Sequence, residues 1–154
     1  MPVRRRRRAR SRLTAARIAA DLLLRAVQER VPNSAKDLVD KNGQLTGQLE
    51  SHRVDVVLGN GRPLAAVQAL SFEGADTLAL QRDVDATAWL VEDMKRKHKA
   101  LPMAVFLLPP RTEAKTYLRA KRLFPRLKSD LVSEADMEQW ARKQARQVAA
   151  HLAP

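Results

Sequence analysis

The clearest apolar pattern in the chain is a pair of runs, 54–58 (VDVVL) and 64–70 (LAAVQAL), separated by Gly59, Asn60, Gly61, Arg62 and Pro63. Gly and Asn supply positive φ and Pro fixes a turn, so this spacing predicts a β-hairpin. Each run holds one polar residue, Asp55 in the first and Gln68 in the second. A polar residue inside an apolar strand has a partner or a task.

The flanking pattern changes period. Leu13, Ala16, Ala20, Leu23, Leu24 and Val27 fall at helical spacing and predict a helix over 13–30, stopped by Val31 and Pro32. Residues 34–42 read as a further short helix capped by Ser34, and 43–50 (GQLTGQLE) as a weak, bulged strand. Leu80, Val84, Ala88, Val91 and Met94 line one face of a helix over 76–98. The run 102–109 (PMAVFLLP) suits a buried strand, and 112–123 a basic helix ended by Pro125. A candidate edge strand at 129–133 leads into a last amphipathic helix through Met137, Trp140, Ala141, Ala145, Val148 and Leu152.

This order predicts an α/β fold: a central mixed sheet of about four strands, an antiparallel meander plus a crossover strand, flanked by helices. A length of 154 residues suits one domain, placed at 13–154. No apolar run approaches the ~20 residues of a membrane helix, so the body is expected to be soluble and cytoplasmic. There is no cysteine, which removes disulfides, thiol nucleophiles and thiolate zinc sites together. The three histidines, His52, His98 and His151, form no pair at metal-binding helical spacing.

Charge sharpens the picture. The net charge of +12 sits in two blocks rather than over the whole chain. Residues 1–12 hold seven arginines and no acid, and read as a solvated, disordered basic tail or as a nucleic-acid-binding arm. No apolar h-region follows them, so they are not a secretory signal. The second block is 94–128, where Glu113 is the lone acid. Lys95, Arg96, Lys97 and Lys99 crowd a helix end, where positive charge also complements the dipole. Lys115, Arg119 and Arg122 follow at i, i+4 and i+7 and form a stripe on one helix face, extended by Arg126. A stripe of this kind meets phosphates through salt-sensitive, largely sequence-independent contacts. Tyr117 and Phe124 are too few aromatics for a stacking platform in this block.

The order helix, three-stranded meander, helix, strand resembles the core of the PD-(D/E)xK, or restriction-endonuclease-like, superfamily. In that family an Asp lies on the second strand, a Glu or Gln on the third with a Lys two residues later, and the first helix often adds a Glu. Asp55 matches the metal-binding Asp, Gln68 the following acidic or amide position, and Glu29 the helix carboxylate. The lysine position is Leu70. What the resemblance implies is a nuclease-like fold with a degenerate metal site; the two basic blocks add the expectation that it binds nucleic acid, DNA before RNA, through Arg4, Arg5, Arg6, Arg7, Arg8, Lys115, Arg119, Arg122 and Arg126. The rival readings are a magnesium-dependent DNA endonuclease using Asp55, Gln68 and Glu29, with Asp55 on the metal, and a protein-interaction module of a defence or toxin-antitoxin system. A third, plainly structural reading has Asp55 facing solvent and Gln68 bonding a neighbouring strand.

Overall fold

In a computed structural model describing residues 8–152, five strands form one mixed sheet in the order β1-β2-β3-β4-β5. The strands are β1 (Val39–Thr46), β2 (Ser51–Gly59), β3 (Pro63–Ser71), β4 (Met103–Leu108) and β5 (Asp130–Ser133). The first three pair antiparallel, and β4 and β5 join in parallel. Five strands rather than about four are present because 130–133 does pair, as the edge strand beside β4. Helices α1 (Arg12–Arg30), α2 (Ala35–Leu38), α3 (Leu78–Lys97), α4 (Lys115–Arg126) and α5 (Glu134–Leu152) complete the described chain. None of them is long and apolar enough to cross a membrane.

The two sheet faces bury different helices. Val56, Leu58, Val67, Ala69, Phe106 and Val132 pack with α1 and α5, whereas Val57, Ala66, Leu70, Val105 and Leu107 pack with α3 and α4. Strand β4 is buried along its whole length, as a strand covered on both faces must be. The period-2 alternation breaks once in β2. His52 and Val54 lie on the α3 side, and Val56 and Leu58 on the α1 side, so the strand changes face at Asp55.

Several boundaries differ from the sequence expectation. Residues 39–42 are strand, not helix, because Val39 pairs with Leu58 and Lys41 with Val56; cross-strand pairing overrides a weak local helix signal. The buried face of α1 is Ala15, Ala19, Ala20, Leu23, Ala26 and Val27, while Leu13 is 70% exposed. Alanines allow the helix to approach sheet and α5 closely, a role a leucine-weighted pattern does not register. Helix α4 runs one residue past Pro125, and its end is closed by Leu127 N–H on the Leu123 carbonyl and Lys128 N–H on the Pro125 carbonyl, with Lys128 at φ 62°.

A buried carboxylate ties β1, β2 and α3 together. Asp93 on α3 is fully buried and accepts from His52 Nε2 at 2.7 Å and from the backbone N–H groups of Leu49 at 2.8 Å and Glu50 at 3.2 Å. The β1–β2 turn sits directly on this carboxylate: a Cβ on Gly47 would stand 2.3 Å from Asp93 Oδ2. Burial by itself pushes the Asp93 carboxyl up, but the His52 hydrogen bond and the two amides outweigh it and hold it below the ordinary carboxylate range.

A carboxyl whose folded value is depressed stabilises the fold above its unfolded value, ~4, and loses that contribution as pH falls through the folded value. Thermal melts of Asp93→Asn against the unaltered chain are therefore expected to show the variant clearly less stable at neutral pH, with the gap closing below about pH 4. A gap that stays constant into acid contradicts this account.

Candidate functional site

The two polar residues of the hairpin meet. The β2–β3 backbone ladder runs through Leu58–Ala65, Val57–Ala66 and Val56–Val67 and ends there. At the next step the side chains take over. Asp55 N–H donates to Gln68 Oε1 at 3.0 Å, and Ala69 N–H donates to Asp55 Oδ2 at 2.8 Å. Two partly buried backbone donors that a parting pair of strands would orphan are thereby satisfied. Gln68 bonds a neighbouring strand, as the structural reading expects; Asp55 does not face solvent, its side chain being 10% exposed.

What covers Asp55 is Arg12, the first residue of α1. Its Nη1 lies 2.8 Å from Asp55 Oδ2 and 3.1 Å from Oδ1. The approach of α1 is fixed from behind. Ser11 caps the helix by accepting from Thr14 N–H, and Arg10 grips Glu73 with Nε at 2.9 Å, Nη2 at 2.6 Å and its backbone N–H at 2.9 Å. Ser71 Oγ donates to the Arg10 carbonyl at 2.6 Å, and Arg10 Nη1 reaches Glu134 at 3.0 Å. The Glu73 carboxyl is held below the ordinary range first by its hydrogen bond to the Arg10 side chain. Residues 10–12, which the sequence assigns to the basic tail, thus belong to the folded body. Arg8 is exposed, and Arg4, Arg5, Arg6 and Arg7 lie outside the described residues.

These residues do not fit a magnesium site. Magnesium takes an octahedron of oxygens, usually one or two carboxylates with waters. Here the Asp55 carboxylate is committed to a guanidinium and a backbone N–H, and the Gln68 oxygen is committed to Asp55 N–H. Glu29 is not at this site. It lies 17 residues beyond Arg12 on α1, ~26 Å along the helix axis, exposed, with its carboxylate 4.0 Å from Arg142. Leu70, where the resemblance implies a lysine, is fully buried against α3 and α4. Of the lysines near the end of α3, Lys95 donates to the Leu101 carbonyl at 2.7 Å, and burial pushes its pKa down. Among the described residues no group of three His, Cys, Asp or Glu side chains converges on a metal position.

Helix α4 carries the charged surface. Thr116, Ala120 and Phe124 face the core, and Lys115, Arg119, Arg122 and Arg126 lie within one turn-to-turn stripe on the exposed side. The stripe is ~17 Å long at helical rise. Of the four, Arg119 forms an ion pair, with Asp85 of α3. The start of α4 is anchored by Asp76, which accepts from the Thr116 hydroxyl and from Thr116 N–H at 3.2 Å; the hydroxyl bond first, then the amide, hold the Asp76 carboxyl below the ordinary range. A rigid start lets the stripe present its charges as a fixed row.

The sequence gives no prominence to Arg12, Arg53 or Trp89. They line a cleft of about 400 Å³ between β2 and α3 together with Gln68 and Asp83. Trp89 is 36% exposed; its indole N–H donates to Glu50, and its ring meets His52 edge-on at 6.4 Å. Only its place on the outer face of a strongly periodic helix could have drawn attention to it.

A lysine at position 70 tests the packing of this region. Leu70→Lys puts an ammonium where the fold has a fully buried apolar side chain, and a loss of about 3 kcal/mol or more in urea unfolding is expected. Arg12→Ala, which strips the partner from a nearly buried carboxylate that keeps some solvent contact, is expected to cost about 1–2 kcal/mol. Wild-type stability in either variant contradicts the arrangement described.

No protein-family model matches the chain, and no curated protein matches it. Among solved structures it is similar to a protein of unknown function, AF1548, at 15% identity and a TM-score of 0.38, over 73% of this chain and 58% of that one. The chain thus spans a little over half the length of that protein.

Proposed function

We propose that this chain is a cytoplasmic nucleic-acid-binding domain of restriction-endonuclease-like fold whose metal site is degenerate. The observation that carries the reading is the stripe of Lys115, Arg119, Arg122 and Arg126 on the exposed side of α4, in which Lys115, Arg122 and Arg126 form no ion pair among the described residues. Three unpaired cations on one helix face, with Arg119 between them, neutralise phosphates and release their counterions, which favours a backbone-reading mode with little sequence preference. The arginines at positions 4–8 form a second basic block that suits the same kind of partner.

The nuclease-like part of the proposal is supported by the succession α1, β1 to β3, α3, β4 and by the meeting of Asp55 with Gln68 where β2 and β3 part. In place of a metal, the Asp55 carboxylate has the Arg12 guanidinium. This arrangement favours binding over hydrolysis, and no magnesium-dependent step is derived from it.

The test is a titration with duplex DNA, single-stranded DNA and RNA at two salt concentrations, with magnesium present and the nucleic acid afterwards run on a gel. Binding without cleavage is expected, with an affinity that falls steeply with salt. Replacing Lys115, Arg122 and Arg126 together by Ala is expected to reduce the slope of log K against log salt by about 2–3, uniformly across sequences. An unchanged slope with the fold intact removes α4 from the interface, and cleavage lost on Asp55→Ala would make the domain an enzyme.

A further inference from the structure

The cleft between β2 and α3 has a chemistry of its own. At about 400 Å³ it falls in the ~300–1,000 Å³ range of small-molecule sites. One wall is the Trp89 ring, held in place from two sides: its N–H is fixed by Glu50, and its edge contact is with His52, which Asp93 fixes in turn. The ring is therefore preorganised and does not fold back onto the protein. Gln68 is also on the lining. Its oxygen is committed to Asp55 N–H, so its NH₂ group has no acceptor among the described residues and is left for the cleft. Arg53 and Asp83, also on the lining, form no ion pair among the described residues. Arg12 lines the same cleft, with its Nη1 on Asp55.

These groups select one kind of ligand. An aromatic wall takes a flat ring; the Gln68 NH₂ and the Asp83 carboxylate offer one donor and one acceptor for the edge of that ring; Arg53 and Arg12 offer positive charge for an anion attached to it. A simple anion is disfavoured by Asp83, and a purely apolar ligand leaves Gln68 and Arg53 desolvated without partners. We infer that the cleft binds a single unpaired nucleotide, its base stacked on Trp89 and read by Gln68 and Asp83, its phosphate held by Arg53 and Arg12. A base in a duplex has both faces stacked and its edge paired, so the cleft admits only an unpaired or extruded one. This inference rests on the nucleic-acid reading proposed above and adds to it a preference for single strands that the α4 stripe does not supply.

The test uses the whole chain and two titrations. In the first, a nucleoside monophosphate is added while tryptophan fluorescence is followed. Quenching is expected, and Trp89→Phe is expected to abolish the change in emission, since the remaining Trp140 is buried and donates to Asp130. In the second, affinity is measured for a single-stranded oligonucleotide, the same strand with one abasic position, and its duplex. Trp89→Leu is expected to weaken single-strand binding about tenfold or more and to leave duplex binding unchanged, with Trp89→Phe retaining part of the affinity. Arg53→Ala, at an exposed position whose side chain forms no ion pair among the described residues, is expected to weaken the intact and the abasic strand alike.

Duplex binding with no quenching by the monophosphate and no effect of Trp89→Leu overturns the pocket and leaves the α4 interface standing. Quenching by the monophosphate with no binding of any polymer upholds the pocket and overturns the interface. Absence of both overturns both. A loss in Trp89→Leu that is equal for single strand and duplex also overturns the pocket, because it reports damage to the fold or to a shared phosphate contact.

Discussion

Everything near the centre of this molecule depends on the way β2 and β3 come apart. Two adjacent strands that separate leave backbone donors facing each other without acceptors, and in a buried sheet that is a cost of about 1–3 kcal/mol for each. Asp55 and Gln68 meet that cost by crossing their side chains into the gap. The solution creates a second problem, an almost buried carboxylate, and Arg12 resolves it by bringing the first turn of α1 onto the sheet. The change of face in β2 and the meeting of Asp55, Gln68 and Arg12 follow from one interruption of the ladder.

The second organising feature lies along α3. From Asp93 through His52 to Trp89, a fully buried charge orients an imidazole, and the imidazole supports an aromatic ring at the surface. The neighbouring faces of the helix serve other partners: Asp85 reaches α4, and Leu90, Val91 and Met94 enter the core. One helix therefore joins the turn between β1 and β2, the cleft and the basic stripe.

Much of the architecture is legible in the sequence because it rests on local pattern. The hairpin turn, the all-buried β4, the period of α3 and the stripe on α4 each follow from residues close together in the chain. The element order suffices for an α/β sheet with helices on both faces. What could not be read depends on contacts distant in sequence. The start of β1 at Val39 is imposed by β2, and the docking of Arg10 by Glu73, 63 residues away. Glu29 matches a family position by its helix alone, and only the length of α1 places it far from Asp55. Arg12 looks like one more arginine in a row of seven, and nothing local distinguishes the one that pairs with Asp55 from those outside the described residues.

The contact between Gly47 and Asp93 reaches beyond the turn in which it lies. Because any Cβ at position 47 would occupy the place of a carboxylate oxygen, the two positions are not independent choices. A chain that acquired a side chain at 47 would first have to give up the acid at 93, and with it the acceptor that holds His52. In related chains the three positions should change as a group or not at all, so that the small residue in an exposed turn serves as a record of whether the buried acid behind it has been kept.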